Sequence, residues 1–165
     1  TTRKPREWED DGKNYYFVDE EFFMRKLESG QILEHAQYGN NYYGTPKAPV
    51  DQWLEEGKTV VLKIEVQGAE KIRQIYPDAV SIFLMPPSMK TLEDRLRRRE
   101  TEDEDEINRR LSIAVGEIKR SVEYDYYVIN DVVSYAVSDI CAIIQAEKQK
   151  TSRMKYIISE VINNA

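Results

Sequence analysis

The chain has 165 residues, of which 41% are hydrophobic and 10% aromatic, and its formal net charge is -6. This length and composition exclude wholesale disorder and favour one domain, while the acidic balance disfavours nucleic acid as a partner. The single Cys141 excludes an internal disulfide, and no apolar run reaches the roughly 18 residues of a membrane span. We therefore expect a cytoplasmic protein that binds neither nucleic acid nor a membrane.

The N-terminal part of the chain predicts a loop followed by a small mixed sheet. Turn residues, helix-capping residues and alternating apolar residues mark its elements. In chain order these are a polar loop (1–14), an aromatic strand (Tyr15–Val18), a helix that Asp19 caps and Gly30 ends, and two strands (Ile32–Tyr38 and Tyr42–Thr45).

A parallel core is predicted from Thr59 onward. Thr59–Val66 is nearly continuous β-branched and apolar sequence, which is typical of a strand covered on both faces by helices. A helix over Ala69–Ile75 leads to a second buried strand, Ala79–Met85, and a third follows at Tyr126–Ile129. Strands that alternate with helices predict an α/β fold.

Two further helical regions complete the expected fold. Between the second and third strands, a helix from about Thr91, a charged stretch (Arg97–Glu106) and a longer helix form an insertion that could act as a lid. After Asp131, we expect an amphipathic helix and a weaker C-terminal helix around Ile157.

Two arginines and two tyrosines are candidates for a phosphate site. Arg3 and Arg6 lie in the polar loop, Tyr15 follows it, and a folded hairpin could bring Tyr43 close to them. Arginine matches phosphate in bidentate geometry. The alternative is two solvated loop arginines and two tyrosines of the sheet.

Glu34 and Thr45 are candidates for base recognition. A carboxylate can accept both the N1–H and the exocyclic amine of guanine, whereas the unprotonated N1 of adenine would leave it unpaired. The alternative is a solvated glutamate on a strand.

Two other charged groups allow two interpretations each. Arg95 and Arg99 are four residues apart on one helix and lie close in sequence to Arg109 and Arg110. These arginines could surround an anion, or the acidic residues of 100–106 could neutralise them. Lys63 and Glu65 lie near the end of the strand predicted over Thr59–Val66, where ligands of α/β sheets bind. Burial of such an ionised pair would be costly without a ligand, which favours a functional role.

Taken together, the sequence resembles guanylate kinase over nearly its whole length. The segments that carry the resemblance fall in family order: Thr1–Arg6 with Glu9, Asp11-Gly12 and Tyr15–Val18; Leu33–Ala36; Tyr42–Thr45; Val66–Ala69; Pro86–Ser88; Arg95-Leu96 with Arg99 and Thr101-Glu102; and Val128–Asp131. The resemblance implies a nucleoside monophosphate kinase-like three-layer α/β fold with a parallel sheet. Its parts would be a GMP-binding β region (1–45), a core (46–90 and 121–165) and a helical lid (91–120).

The resemblance also implies an activity and its residues. The activity is transfer of the ATP γ-phosphate to GMP, with Mg²⁺ bound to ATP and no metal ligand assigned to the protein, which would be a monomer or a homodimer. GMP would contact Arg3, Arg6, Tyr15, Glu34, Tyr43, Thr45 and Glu65. The catalytic lid arginines would be Arg95, Arg99 and Arg110, and ATP would contact Arg95, Arg99 and Asn130.

Several features depart from the family pattern. The phosphate-binding pattern G-x-x-x-x-G-K-[ST] is absent from these residues, so we expect the chain by itself to bind GMP with little or no turnover. The family usually has glycine where Trp8 and Glu100 stand and an acid where Lys63 stands, and each change is expected to lower activity. The alternative function is a non-catalytic guanylate-kinase-like module that binds GMP or phosphorylated protein segments.

Overall fold

The computed structural model describes residues 1–98 and 103–163. The chain forms two compact units, Thr1–Ala79 and Val80–Ala165. Among the described residues, no helix combines the length and the apolar character that crossing a membrane would require.

The first unit combines three helices with one antiparallel hairpin. Its elements are α1 (Glu20–Glu28), β1 (Ile32–Tyr38), β2 (Asn41–Pro46), α2 (Lys47–Glu55) and α3 (Val66–Ile75). The predicted cap of α1 is confirmed, because the Asp19 carboxylate accepts a hydrogen bond from the Phe22 N–H at 2.6 Å. Gly30 follows the helix with a φ of 68°, a conformation that glycine adopts without strain.

The hairpin of β1 and β2 fixes which side chains face each other. The strands pair antiparallel around Gly39, whose φ is 58°, and the register places Glu34 opposite Thr45 and Ala36 opposite Tyr43. Both predicted strands are confirmed. The pairing brings two residues that are 11 apart in sequence into direct contact.

The core of the first unit lies between the hairpin and α3. Leu33, Val50 and Ile72 are buried, and Val60, Leu62 and Ile64 pack against them. Burial alternates along residues 59–65, as it does in a strand, but no described residue pairs with them in a ladder. The predicted strand Thr59–Val66 is therefore wrong for the described chain, because a strand requires a hydrogen-bonded neighbour as well as an apolar pattern.

The predicted strand Tyr15–Val18 is also wrong. Only an isolated bridge between Asp11 and Tyr15 is present. The Thr1 amino group donates to the Tyr16 carbonyl at 2.8 Å, and the Val18 N–H donates to the Thr1 carbonyl at 3.0 Å. These contacts tie the segment to the first residue of the chain without forming a ladder.

The second unit contains a two-stranded parallel sheet and four α-helices among its described residues. Its elements are β3 (Ile82–Met85), α4 (Met89–Arg97), α5 (Glu104–Lys119), a short 3₁₀ helix (Arg120–Glu123), β4 (Tyr126–Ile129), α6 (Val133–Lys148) and α7 (Lys155–Asn163). The parallel pairing of β3 with β4 and the two helices that flank the charged stretch are confirmed.

A side-chain clamp sets the register of β3 and β4. Ser81 precedes β3 and Asp125 precedes β4. The Asp125 carboxylate accepts from both the N–H and the hydroxyl of Ser81, at 2.8 and 2.7 Å. The Asp125 N–H in turn donates to the Ser81 hydroxyl oxygen at 3.1 Å. The clamp therefore aligns the two strands, and their carboxyl ends lie side by side at Met85 and Ile129.

Glu147 attaches α6 to β4 and makes the stability of the second unit depend on pH. Its side chain is 6% exposed and accepts from Tyr126 Oη and Lys150 Nζ, each at 2.6 Å. These bonds lower the pKa of Glu147 below its ordinary value of 4.5, and the bond to Lys150 has the larger effect. A carboxyl group whose pKa is lower in the folded protein stabilises the fold at pH values above its pKa in the unfolded chain. That stabilisation is lost as the pH falls through the pKa of the folded protein.

At pH 7 we expect the melting temperature of the wild-type protein to be several degrees higher than that of Glu147→Gln. The difference should narrow as the pH falls below about 4.5. The measurement is thermal denaturation of both proteins from pH 7 to pH 3. A gap that is constant over this range would show that ionisation of Glu147 does not contribute.

Candidate active site

The ion pair between Arg3 and Glu9 organises the N-terminal loop (1–14). Arg3 binds Glu9 with both terminal nitrogens: Nη1 lies 2.9 Å from Oε2, and Nη2 lies 2.9 Å from Oε1. The Glu9 side chain is 4% exposed, and it also accepts from the Arg6 N–H at 2.8 Å. The Arg3 guanidinium lowers the pKa of Glu9 to about 2, and the Glu9 carboxylate raises the pKa of Arg3. Both groups are therefore charged at neutral pH.

Three of the four predicted phosphate ligands lie together around this pair. The Arg3 guanidinium lies 5.5 Å from the centre of the Tyr15 ring, and the Tyr15 and Tyr43 rings meet edge to face at 6.0 Å. The nearby Tyr43 phenol further raises the pKa of Arg3. One guanidinium and two phenol rings thus form a cluster of the kind that binds an anion.

Arg6 belongs to the same loop but contacts a different ring. Its guanidinium lies 5.9 Å from the centre of the Trp8 ring, and the Trp8 side chain is 69% exposed. The Glu9 carboxylate holds the backbone of Arg6 in place. The loop therefore fixes the position of Arg6 and leaves its side chain at the surface.

The predicted base-recognition pair is present as a hydrogen bond. The Thr45 hydroxyl donates to Glu34 Oε1 at 2.6 Å, across the hairpin of β1 and β2. Glu34 is 6% exposed. Its other oxygen, Oε2, lies against Gly68 in the first turn of α3. The carboxylate is therefore hydrogen-bonded by Thr45 on one side and lies against the first turn of α3 on the other, and a helix N-terminus favours negative charge.

Glu65 lies at the N-cap of α3, and Lys63 is two residues before it. Both side chains are exposed, so the prediction of a buried ionised pair at these positions is wrong. The reason is that residues 58–65 have no paired strand among the described residues to cover them. Glu65 remains an accessible carboxylate three residues before Gly68.

In the second unit, Arg95 is fastened to the end of β4. Its Nη1 donates to the Asn130 carbonyl at 2.5 Å, and its Nη2 donates to the Asp131 carbonyl at 3.1 Å. Asn130 in turn continues the sheet, because its N–H donates to the Met85 carbonyl at 2.8 Å. The structure therefore brings Arg95 and Asn130 together, as their predicted common ligand would require.

The other arginines of α4 and α5 pair with acids on the same two helices. Arg97 binds Glu93 and Glu104, while Arg109 and Arg110 both bind Glu106, at 2.7 and 3.1 Å. Neutralisation by neighbouring acids is thus seen for these arginines, including Arg110. The predicted ligand Arg99 lies outside the described residues, as does Glu100.

Comparison with known proteins decides the family. The family model for guanylate kinase matches residues 1–147. The chain belongs to the guanylate kinase family. The guanylate kinase of Clostridioides difficile is 48% identical over 160 residues, which are 97% of this chain and 78% of the relative. That of Shouchella clausii is 50% identical over 154 residues, which are 93% of this chain and 75% of the relative.

A solved structure agrees with this assignment. The crystal structure of guanylate kinase from Anaplasma phagocytophilum matches with a TM-score of 0.75 and 38% identity, covering 92% of this chain and 74% of that one. The predicted guanylate kinase-like α/β fold is therefore confirmed. The family's enzymes are ATP:GMP phosphotransferases.

Two residues of this guanylate kinase-family site were not predicted from sequence. Glu9 belongs to the family signature, and its bonds to Arg3 and to the Arg6 N–H are visible only in the structure. Gly68 belongs to the segment Val66–Ala69, and its contact with Glu34 is likewise visible only in the structure. A glycine inside an otherwise regular helix was the available signal for Gly68, because glycine weakens helices.

Proposed function

We propose that this protein transfers the γ-phosphate of ATP to GMP, which gives ADP and GDP. The observation that carries the proposal is the Thr45–Glu34 hydrogen bond of 2.6 Å, since it presents an ordered, shielded carboxylate in the unit that also holds the Arg3 cluster. GMP requires one group that accepts hydrogen bonds from two adjacent donors of its base and another that binds its phosphate.

Glu34 would select the base. An ionised carboxylate has about four lone-pair positions, and Thr45 occupies one on Oε1. The remaining positions can accept the N1–H and the exocyclic amine of guanine. Adenine offers an unprotonated N1 at the same place, so AMP would leave one carboxylate oxygen facing an acceptor.

Arg3, Arg6, Tyr15 and Tyr43 would hold the phosphate of GMP. Glu9 uses both terminal nitrogens of Arg3 and so sets the orientation of the guanidinium plane. Nη2 and Nε then have N–H groups that can serve Tyr43 and an anion. Orienting the acceptor phosphate in this way contributes to the rate, because phosphoryl transfer depends mainly on positioning and charge neutralisation.

The ATP phosphates would be held from residues 91–120, which we propose as the lid, and from the end of β4. Arg95, Arg99 and Arg110 would neutralise charge that develops during transfer, and Asn130 would contact the adenosine. Arg95 is already aligned by two carbonyl groups. Arg110 would exchange its bond to Glu106 for one to phosphate on closure. Glu65 would lie near GMP, which accepts the γ-phosphate.

Mg²⁺ fits this site as a companion of ATP. Among the described residues, no group of three acidic, histidine or cysteine side chains could hold a metal. Mg²⁺ commonly binds through nucleotide phosphates with one or two carboxylates, and Glu65 is an accessible carboxylate of this kind. When bound, the ion would neutralise phosphate charge. We propose that the reaction takes place in the cytosol on a monomer or homodimer.

For residues 1–165 by themselves, we propose GMP binding with little phosphoryl transfer. The observation that favours this second function is that the pattern G-x-x-x-x-G-K-[ST], whose backbone would cradle the ATP phosphates, does not occur among these residues. A module of this kind would bind GMP or a phosphorylated protein segment.

A calorimetric titration of the chain tests the GMP site that both functions share and compares it with binding of a phosphorylated peptide. We expect saturable binding of GMP in the presence of Mg²⁺ and no response to AMP at the same concentration, because only guanine satisfies Glu34. A phosphoserine peptide is the third ligand. Equal affinities for GMP and AMP would contradict base selection by Glu34, and binding of the peptide alone would favour the module.

A further inference from the structure

Gly68 approaches the Glu34 carboxylate more closely than any other residue type could. It is buried and is the third residue of α3. A Cβ atom built on Gly68 would lie 2.5 Å from Glu34 Oε2, 3.2 Å from Cδ and 3.3 Å from Cγ. The outer half of the Glu34 side chain therefore occupies the space that a side chain on residue 68 would fill.

The helix itself gives no reason for a glycine at this position. Residue 68 has helical backbone conformation, which every residue except proline adopts readily, and glycine is among the weakest helix formers. Alanine at position 68 would make α3 more stable as a helix. What the glycine provides is access: the carboxylate can approach the first turn of the helix, where unpaired N–H groups and the helix dipole attract negative charge.

We propose that Gly68 is a positioning residue that determines base specificity, because its missing side chain sets where the Glu34 carboxylate stands. This inference rests on the proposed role of Glu34 in guanine recognition. Thr45 holds Oε1 by a hydrogen bond, and the missing side chain of Gly68 leaves the space that Oε2 occupies. Recognition of two adjacent donors on one base requires both oxygens to be in place.

Gly68→Ala is expected to move the carboxylate without disrupting the fold. The three nearest atoms that the added methyl group would meet outside its own helix backbone belong to the Glu34 side chain. Oε2 would have to retreat by about 1 Å to reach an ordinary contact of 3.4 Å. Loss of one of the two charge-assisted hydrogen bonds to the base weakens binding by about 10- to 100-fold.

The experiment compares wild type, Gly68→Ala and Gly116→Ala by calorimetry with GMP and with IMP, which lacks the exocyclic amine of guanine. Gly116 lies in α5, and among the described residues nothing beyond its chain neighbours and its own helix backbone lies within 4 Å of a built Cβ, so its variant controls for a glycine-to-alanine change in a helix. We expect Gly68→Ala to lose about 10- to 100-fold in GMP affinity and much less in IMP affinity. Its melting temperature should equal or exceed that of wild type.

A second variant tests the steric cause. Glu34→Asp shortens the side chain by one methylene, so Gly68→Ala/Glu34→Asp should bind GMP more tightly than Gly68→Ala alone. Wild-type GMP affinity in Gly68→Ala would overturn the proposal while leaving the function of Glu34 intact. Loss of folding that Glu34→Asp does not repair would also overturn it. Failure of wild type to bind GMP would instead contradict the proposed function.

Discussion

Glu34→Gln should weaken GMP binding by about 30- to 1000-fold and shift the base preference toward AMP. Glutamine at position 34 offers one acceptor and one N–H₂ donor where the carboxylate offers two acceptors. One of the two guanine donors would then face another donor. Loss of a charge-assisted hydrogen bond together with an unpaired donor costs about 2–4 kcal/mol, which corresponds to this range of affinities.

The same substitution should favour AMP because of its pattern of donors and acceptors. Adenine presents an amine beside the unprotonated N1, and a glutamine amide can pair with both. The fold should be retained, since a glutamine oxygen can still accept from the Thr45 hydroxyl, whose bond to Oε1 is 2.6 Å. Gain in AMP affinity distinguishes altered recognition from general damage to the site.

Calorimetric titration of GMP and AMP into wild type, Glu34→Gln and Glu28→Gln would check this prediction. Glu28 is exposed at the end of α1, so its variant makes the same change in net charge away from the hairpin. Parallel losses for both nucleotides, or an unchanged GMP affinity, would show that Glu34 does not read the base.

Those elements whose signals are local could be predicted from sequence. Ile32–Tyr38 and Tyr126–Ile129 have the predicted bounds, because apolar patterns and turn residues lie within or beside them. Tyr15–Val18 and Thr59–Val66 have the composition of strands but not the structure. Whether an extended segment becomes a strand depends on a neighbour elsewhere in the chain, which periodicity cannot identify.

The same distinction applies to the candidate site. The hydrogen-bonding chemistry of guanine and the resemblance to a family both indicate Glu34 and Thr45, and the hairpin register explains why they meet. Contacts of Glu34 with Gly68 and of Arg3 with Glu9 could not be predicted in this way, because the first spans 34 positions and the second lies in an irregular loop. A glycine that weakens a helix is nevertheless a local conflict, and such conflicts tend to mark functional positions.

Arg3→Ala should reduce GMP affinity by about 100-fold or more while leaving guanosine affinity nearly unchanged. The variant loses the charge-assisted hydrogen bonds between the guanidinium and the phosphate of GMP. It also leaves the Glu9 carboxylate, whose side chain is 4% exposed, without its bidentate partner. Guanosine has no phosphate and would sense neither change. The measurement is calorimetry with both ligands.

Arg25→Ala is the matched control, because it removes one cation from a 62% exposed side chain of the same unit. If Arg3→Ala lowered guanosine and GMP affinity equally, Arg3 would shape the loop without binding the phosphate.

The double variant Arg3→Ala/Glu9→Gln separates the two causes of the loss. If the unpaired Glu9 carboxylate repels the phosphate of GMP, its neutralisation should restore part of the affinity that Arg3→Ala removes. If Glu9 acts only by orienting Arg3, neutralising it should restore nothing once Arg3 is gone. Two residues in one ion pair are expected to show non-additive effects of this kind. Partial recovery would mean that Arg3 both attracts the phosphate and shields it from Glu9.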